Sequence, residues 1–278
     1  LDDIGVGSEV SKCLDGLVLV ANHRFGDAVG RLESIRNAFD SGTIFRSELD
    51  RALLRCYRTL DAGERATALL RESLNRREFS TQARRRYAEA LAADGKTSQA
   101  ISQYREMDRA DQDALPLARL LIRRKLVTPG QSFDSEEVAR LLTTADEYQP
   151  GTPEIAVLRM IMHVFSQQED AARQTLAEAR EQIGDCVELD VAAIQFELQL
   201  GRHDAAREAL AVARSRYPDR IEVWDSALTL ALVTGAADEQ ELAGLEAAIA
   251  RLDASVQVVA LARLAQVYRR RSQFGDEL

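Results

Sequence analysis

The sequence predicts an all-α array of repeated helix pairs, and three observations predict it. The first is composition. Among 278 residues only five are proline, 46% are hydrophobic and 29% charged, and Ala, Leu, Arg and Glu dominate. That mixture favours helix nearly throughout. The second is a fixed period: Ala66 and Ala100 are 34 residues apart, as are Val138, Ala172 and Ala206, and Pro150 and Pro218 stand 68 apart. The third is a recurring pattern at the turns. Gly95-x4-Ala100-x3-Tyr104-x2-Met107 has the spacing of Gly201-x4-Ala206-x3-Leu210-x2-Ala213. A period of this length marks units that bury their apolar faces by stacking on their neighbours.

The plainest unit is Ala193–Pro218, AIQFELQLGRHDAAREALAVARSRYP. Gly201 ends its first helix, because glycine enters the left-handed C-cap conformation without a Cβ clash. Asp204 is expected at the start of the second helix, where its carboxylate can meet free backbone N–H groups. Ala206, Leu210 and Ala213 share one helical face, and Pro218 stops the chain. The spacing Gly-x4-Ala-x3-Leu-x2-Ala-x4-Pro resembles the second half of a tetratricopeptide (TPR) unit. That resemblance implies a right-handed superhelical solenoid of antiparallel helix pairs. It covers about residues 8–275, in one solenoid over 1–278 with about seven pairs and a partial eighth.

The first unit is expected at about 8–40, with Val10, Leu14, Leu17 and Val18 as the apolar face of its first helix and Ala28, Leu32 and Ile35 on its second. The second, about 45–75, turns Leu53, Leu54, Tyr57 and Leu60 inward. Its turn DAGERATALL leaves the register open by two residues, since Gly63 pairs better with Ala68 than with Ala66. The third, about 81–109, carries Tyr87, Leu91, Gly95, Ala100 and Tyr104. The fourth, about 113–149, places Pro116 in a first turn, where a missing N–H costs nothing. Its loop VTPGQSFD is long, and Asp134 or Ser135 should cap the helix that follows. The fifth (153–183) turns at Gln167, and the sixth (187–218) is the unit described above. The seventh (221–253) matches Trp224, Ala227 and Leu228 to the first helix of a TPR, with Gly235 at the turn and AADEQELAG inserted after it. The eighth (255–278) shows Leu261, Leu264, Ala265 and Tyr268 as another first helix, and SQFGDEL reads as the opening of a second. No polar capping helix closes the array, so a piece of a longer array is expected, with the uncovered face of the last helix able to self-associate.

Three cysteines (Cys13, Cys56, Cys186) share no close spacing, so neither a disulfide framework nor a zinc site is indicated. Cys56 reads as a small apolar filler. Cys186, in a loop, has no histidine beside it to make a nucleophile. His23, His163 and His203 lie in different units with no second ligand at metal spacing. No glycine-rich phosphate loop occurs. The terminal Gly275-Asp-Glu-Leu278 departs from an ER-retention signal at its first residue. No cofactor, metal or catalysis is expected on these residues. No run of eighteen apolar residues is present to span a membrane, and the sequence leaves the compartment open between cytoplasm and periplasm.

The net charge of −9 is unevenly spread: residues 46–125 carry 18 Lys/Arg against 12 Asp/Glu, and residues 126–278 carry 14 against 26. In TPR proteins the first helix of each pair lines a concave groove, so the resemblance makes the outer faces of those helices the candidate contacts. Arg51, Arg55 and Arg58 lie at helical spacing in the second unit. Gln82, Arg85, Arg86 and Glu89 hold the corresponding places in the third, and Arg119, Arg123 and Arg124 in the fourth. Arginine forks bind carboxylates in pairs of bonds, so an acidic peptide is the expected occupant; the alternative is a solvated face paired with Glu48, Asp50 and Glu89. Clamp-type TPR grooves use lysine and asparagine as well, and those are missing here. Farther on the same faces turn apolar, with Val157, Ile161, Val164 and Phe165, then Val191 and Leu198, then Leu232 and Val233. They could hold an apolar segment or pack against the neighbouring unit. The expected function is a non-catalytic protein- or peptide-binding scaffold, similar to bacterial multi-TPR proteins of exopolysaccharide or secretion machinery. The alternative is a regulatory or sensor array controlling an attached transcription or enzyme domain. Nucleic acid is disfavoured by the acidic total and the few aromatics.

Overall fold

Among the described residues, five of those with positive φ share one turn geometry: His23, Asp61, Gly95, Gln167 and Gly201, at 58°, 54°, 74°, 58° and 70°. Asp61 and Gly95 are one 34-residue period apart, as are Gln167 and Gly201, and Gly235 (φ 66°) follows one period later. After each of the five, the next amide donates to the carbonyl five residues back. Arg24 bonds to Leu19, Ala62 to Tyr57, Lys96 to Leu91, Gln168 to His163 and Arg202 to Glu197, at 2.8–2.9 Å. This is the closing bond of a Schellman motif. The carbonyl of that same residue then accepts from Ala28, Ala66, Ala100, Ala172 or Ala206, at 3.0–3.2 Å, and so opens the second helix. All five alanines are buried. One local geometry therefore ends one helix, starts the next and buries a methyl group between them.

The computed structural model describes residues 3–40, 43–75, 81–107, 111–235, 239–251 and 254–275. Among these, every regular element is helical. The pairs are α1 (Asp3–Ala21) with α2 (Phe25–Ile35), α3 (Ile44–Thr59) with α4 (Gly63–Asn75), and α5 (Thr81–Ala93) with α6 (Thr97–Arg105). Next come α7 (Ala114–Val127), α8 (Ser135–Tyr148), α9 (Pro153–Phe165) and α10 (Glu169–Ile183). Then follow α11 (Val187–Gln199) with α12 (His203–Arg216), α13 (Ile221–Thr234) with α14 (Glu239–Ile249), and α15 (Ala254–Gly275).

The helices gather into two compact units, residues 1–132 and 133–278. In the first, α1 packs on α2 and α3, α4 on α5, and α6 on both α5 and α7. Its core joins Cys13, Leu32, Leu49, Leu53 and Cys56. In the second, α9, α11, α13 and α15 lie side by side, and α10 and α12 each pack against the helix before them. Phe196, Ile194, Leu189 and Leu228 are buried there.

Several expectations are corrected. On α1, Leu14 and Val18 are exposed while Cys13 and Val20 are buried. The core face is rotated because Gly16 admits Leu32 against the helix backbone. Leu60 is exposed, since it is the C-cap of α3 rather than a member of its inner face. The register left open in the second pair is settled: Asp61 takes the turn, Gly63 already belongs to α4, and Ala66 is the buried alanine. Asp204 caps nothing, because the N-cap is Arg202; its Oδ1 instead accepts from Arg207 at 2.6 Å. Asp134 does cap α8, accepting from the Glu137 amide at 2.9 Å. Ser272–Gly275 continue α15 rather than opening another helix. Asp276–Leu278, and Ala236–Asp238 of the insertion after Gly235, lie outside the described residues.

Candidate functional site

In the first unit α3 is sharply two-sided. Leu49, Ala52, Leu53 and Cys56 are buried, and Arg51, Arg55 and Arg58 are exposed on the other side. Arg51 pairs with Glu48 at 2.5 Å. Arg55 and Arg58 have no ion-pair partner among the described residues. On α5, Arg85 is turned toward the fold. Its Nη2 donates to Asp113 Oδ2 at 2.9 Å and its Nε to Oδ1, a paired bond to a buried carboxylate. That bond, opposed by desolvation, holds the guanidinium above its ordinary pKa. Arg84 pairs with Glu106. Arg86, Arg119 and Arg123 are exposed.

Arg85 and Arg119 both act on the Tyr104 hydroxyl. Burial, helped by Glu89 and Asp113, pushes that phenol up to about 12, and the two arginines partly offset the rise. Arg85 and Arg119 thus both lie within electrostatic reach of Tyr104. The structure gives Arg85 to an internal carboxylate, whereas Arg55, Arg58, Arg86 and Arg123 remain displayed.

In the second unit Val157, Ile161 and Phe165 are half-buried along α9. Val157 and Ile161 pack at the margin of the core built on Met160, Leu189 and Phe196. Phe165 meets Phe133 edge-on, with ring centroids 5.2 Å apart. Val191, Leu198 and Leu232 hold similar marginal places on α11 and α13.

Two charged groupings had no local signal in the sequence. Arg46, 4% exposed, donates to the carbonyls of Arg36 and Phe39, while Arg36 binds Asp50 at 2.6 Å and Glu72 at 2.7 Å. Asp190, 3% exposed, accepts from Arg180 at 2.8 Å and Arg216 at 3.1 Å. Each charge is matched within its grouping, as burial demands, so both serve the fold. The three histidines do not converge: His23 ends in the first turn, His163 faces Gln168 at 2.8 Å, and His203 begins α12. Among the described residues no three His, Cys, Asp or Glu side chains are placed to hold a metal ion, and no helix is long and apolar enough to cross a membrane. Burial raises the thiols of Cys13, Cys56 and Cys186 above their ordinary value.

No family model matches the sequence, and no curated protein matches it. Solved structures do. A tetratricopeptide repeat protein from Parabacteroides merdae ATCC 43184 superposes with a TM-score of 0.68 at 10% identity, over 93% of this chain and 99% of that one. The chain has the tetratricopeptide-repeat fold. PilW, a widely conserved type IV pilus biogenesis factor, shares it at a TM-score of 0.53 and 12% identity, over 78% of this chain and 96% of its own. The 41-end portion of MamA from Desulfovibrio magneticus RS-1 follows at 0.50 and 12%, over 60% and 93%. At these identities the likeness is one of tetratricopeptide fold alone.

Proposed function

We propose that the chain is a non-catalytic scaffold that binds a protein or peptide along the outer faces of its first helices. In the first unit the occupant is an acidic segment. The observation that carries this reading is the two-sidedness of α3: its inner face is closed by core, while Arg55 and Arg58 stand exposed at helical spacing. Arg86 and Arg123 are exposed on α5 and α7. Guanidinium forks of this kind suit carboxylates, and several together speed association in a salt-dependent way. Arg51 and Arg85 are each held by a carboxylate, Glu48 and Asp113, so with Arg119 they stand beside the proposed contacts and are not the main charges there. Val157, Ile161 and Phe165 supply the apolar part of the proposed surface in the second unit.

PilW is a type IV pilus biogenesis factor, and we place this chain, at the level of process, in bacterial secretion or exopolysaccharide machinery. The test is binding of a fluorescent Glu/Asp-rich peptide to the protein and to Arg55→Glu and Arg58→Glu. Both positions are exposed, so the variants should melt like the parent. Affinity should fall about fivefold for each reversal, with a weaker dependence on salt. Unchanged affinity in both would make the arginines a solvated surface.

A further inference from the structure

The helices α9, α11 and α13 begin at Pro153, Val187 and Ile221, each one 34-residue period after the last. They pack side by side and repeat one burial pattern. Ile155, Leu189 and Val223 are buried in register, as are Met160, Ile194 and Leu228, and then Met162, Phe196 and Leu230. The residues left half-buried or exposed are in register too, so they form rows that cross the three helices. The first row, in the opening turns, is Glu154, Glu188 and Glu222. The last rows, near the closing turns, are Val164, Leu198 and Leu232 beside Phe165, Gln199 and Val233. Between them lie Val157, Val191 and Asp225, then Ile161, Gln195 and Thr229. The wall is therefore acidic along one edge and mainly apolar along the other, with Gln199 the one polar member there.

Its dimensions suit a helix lying across it. Packed helices sit about 8–10 Å apart, and seven residues of α-helix advance about 10.5 Å. Residues i, i+7 and i+14 of such a helix would meet successive members of one row. From the second to the twelfth residue of each wall helix is about 15 Å, enough for a helix about 10–12 Å across. Some of the wall's charge is already answered. Glu222 is gripped by Arg220 at 2.9 and 3.1 Å, which lowers its pKa. Asp225 pairs with Arg263, which also reaches Thr229 at 2.8 Å. Glu188, the middle carboxylate, is exposed; it meets the Cys186 thiol and lies within the field of Arg220, but no guanidinium or ammonium grips it as Arg220 grips Glu222.

We infer that this wall binds an amphipathic helix carrying an apolar stripe and, beside it, lysines or arginines spaced by seven. The inference rests on the scaffold reading above and gives the second unit an occupant opposite in charge to that of the first. Charge complementarity with the glutamate row fixes the sign, and the apolar edge fixes the stripe.

Two 21-residue helical peptides test it. Both carry the same leucine stripe; one places Lys at i, i+7 and i+14 and the other places Glu there. The lysine peptide should bind the protein at least tenfold tighter than its glutamate twin. Its affinity should fall about fivefold on Glu188→Lys, and fall again on Gln195→Arg, an exposed position in the middle of the wall. Equal binding of the two peptides, or indifference of the lysine peptide to both substitutions, overturns the inference. A glutamate peptide that binds and responds to Arg55→Glu, with no binding of the lysine peptide, also overturns it, and leaves the reading of the arginine helices standing.

Discussion

Gly16 of α1 meets Leu32 of α2 so closely that a Cβ on it would stand 2.5 Å from Leu32 Cδ2 and 2.8 Å from its Cγ. Leu32 is fully buried and cannot swing away freely. Alanine gains helix propensity over glycine by about 1 kcal/mol, but overpacking a closed core costs about 1–3 kcal/mol. Gly16→Ala is therefore expected to be destabilising on balance. Gly30, on the exposed side of α2, has nothing within 4 Å of its notional Cβ. Gly30→Ala should stabilise by about 0.5–1 kcal/mol. Urea midpoints of the two variants moving in opposite directions would bear out the contact; a stabilised Gly16→Ala would refute it.

The turns supply the second prediction. Gln167 holds a left-handed backbone, φ 58°, where Gly201 one period later uses glycine at 70°. A side chain in that region costs about 1–2 kcal/mol. Gln167→Gly should raise stability by about 1 kcal/mol and Gly201→Ala should lower it by a similar amount, both read from thermal melts. Gly201 has nothing near its notional Cβ, so a loss there reports backbone conformation and not a clash.

These two cases also mark what the sequence made legible. The 34-residue period was readable because the turn and the alanine after it are a local device, repeated wherever a second helix begins. On α1 the choice of face was not readable. Leu14 and Val18 are as apolar as Cys13 and Val20, and only the approach of Leu32 to Gly16 selects between them. Among the candidate contacts, the exposure of Arg55 and Arg58 follows from their spacing against the core residues of α3. The fate of Arg85 does not, because its partner Asp113 is 28 residues away. The glutamate row was present in the sequence at the same period. Glutamate is common in any first turn, where it meets the positive end of the helix dipole, so no single member stood out.

Tyr104 predicts a pH dependence. Its phenol is buried beside Glu89 and Asp113 and is pushed up to about 12, while an unfolded tyrosine ionises near 10. The folded state thus keeps a proton that the unfolded state has lost. The stabilisation is whole below pH 10 and disappears as pH rises through 12. At pH 11 the parent should have lost about 1 kcal/mol of this contribution, and Tyr104→Phe should not show that loss. Denaturation at pH 8 and pH 11, compared between parent and variant, measures the difference. Parallel pH profiles would mean that Tyr104 ionises as freely in the folded protein as in the unfolded chain.

Asp190 carries the last prediction, because one buried carboxylate ties three helices of the second unit. It stands in the first turn of α11 and accepts from Arg180 of α10 at 2.8 Å and from Arg216 of α12 at 3.1 Å. Asp185 helps to hold both guanidiniums, at 3.7 and 3.0 Å. The arginines are partly in solvent, so their Coulomb attraction is screened. The carboxylate is not, and hydrogen bonds to such a charged group are worth about 1.5–3 kcal/mol. Asp190→Asn keeps the shape but removes the charge and turns one acceptor into a donor facing arginine. It should cost about 2–3 kcal/mol. Arg216→Met leaves Arg180 in place and keeps much of the side chain's apolar packing, so it should cost about 1 kcal/mol or less. The order of the two losses is the test. If Arg216→Met proves as damaging as Asp190→Asn, the Arg216 guanidinium, with its bonds to Asp190 and Asp185, carries the tie and the share assigned to Arg180 is wrong.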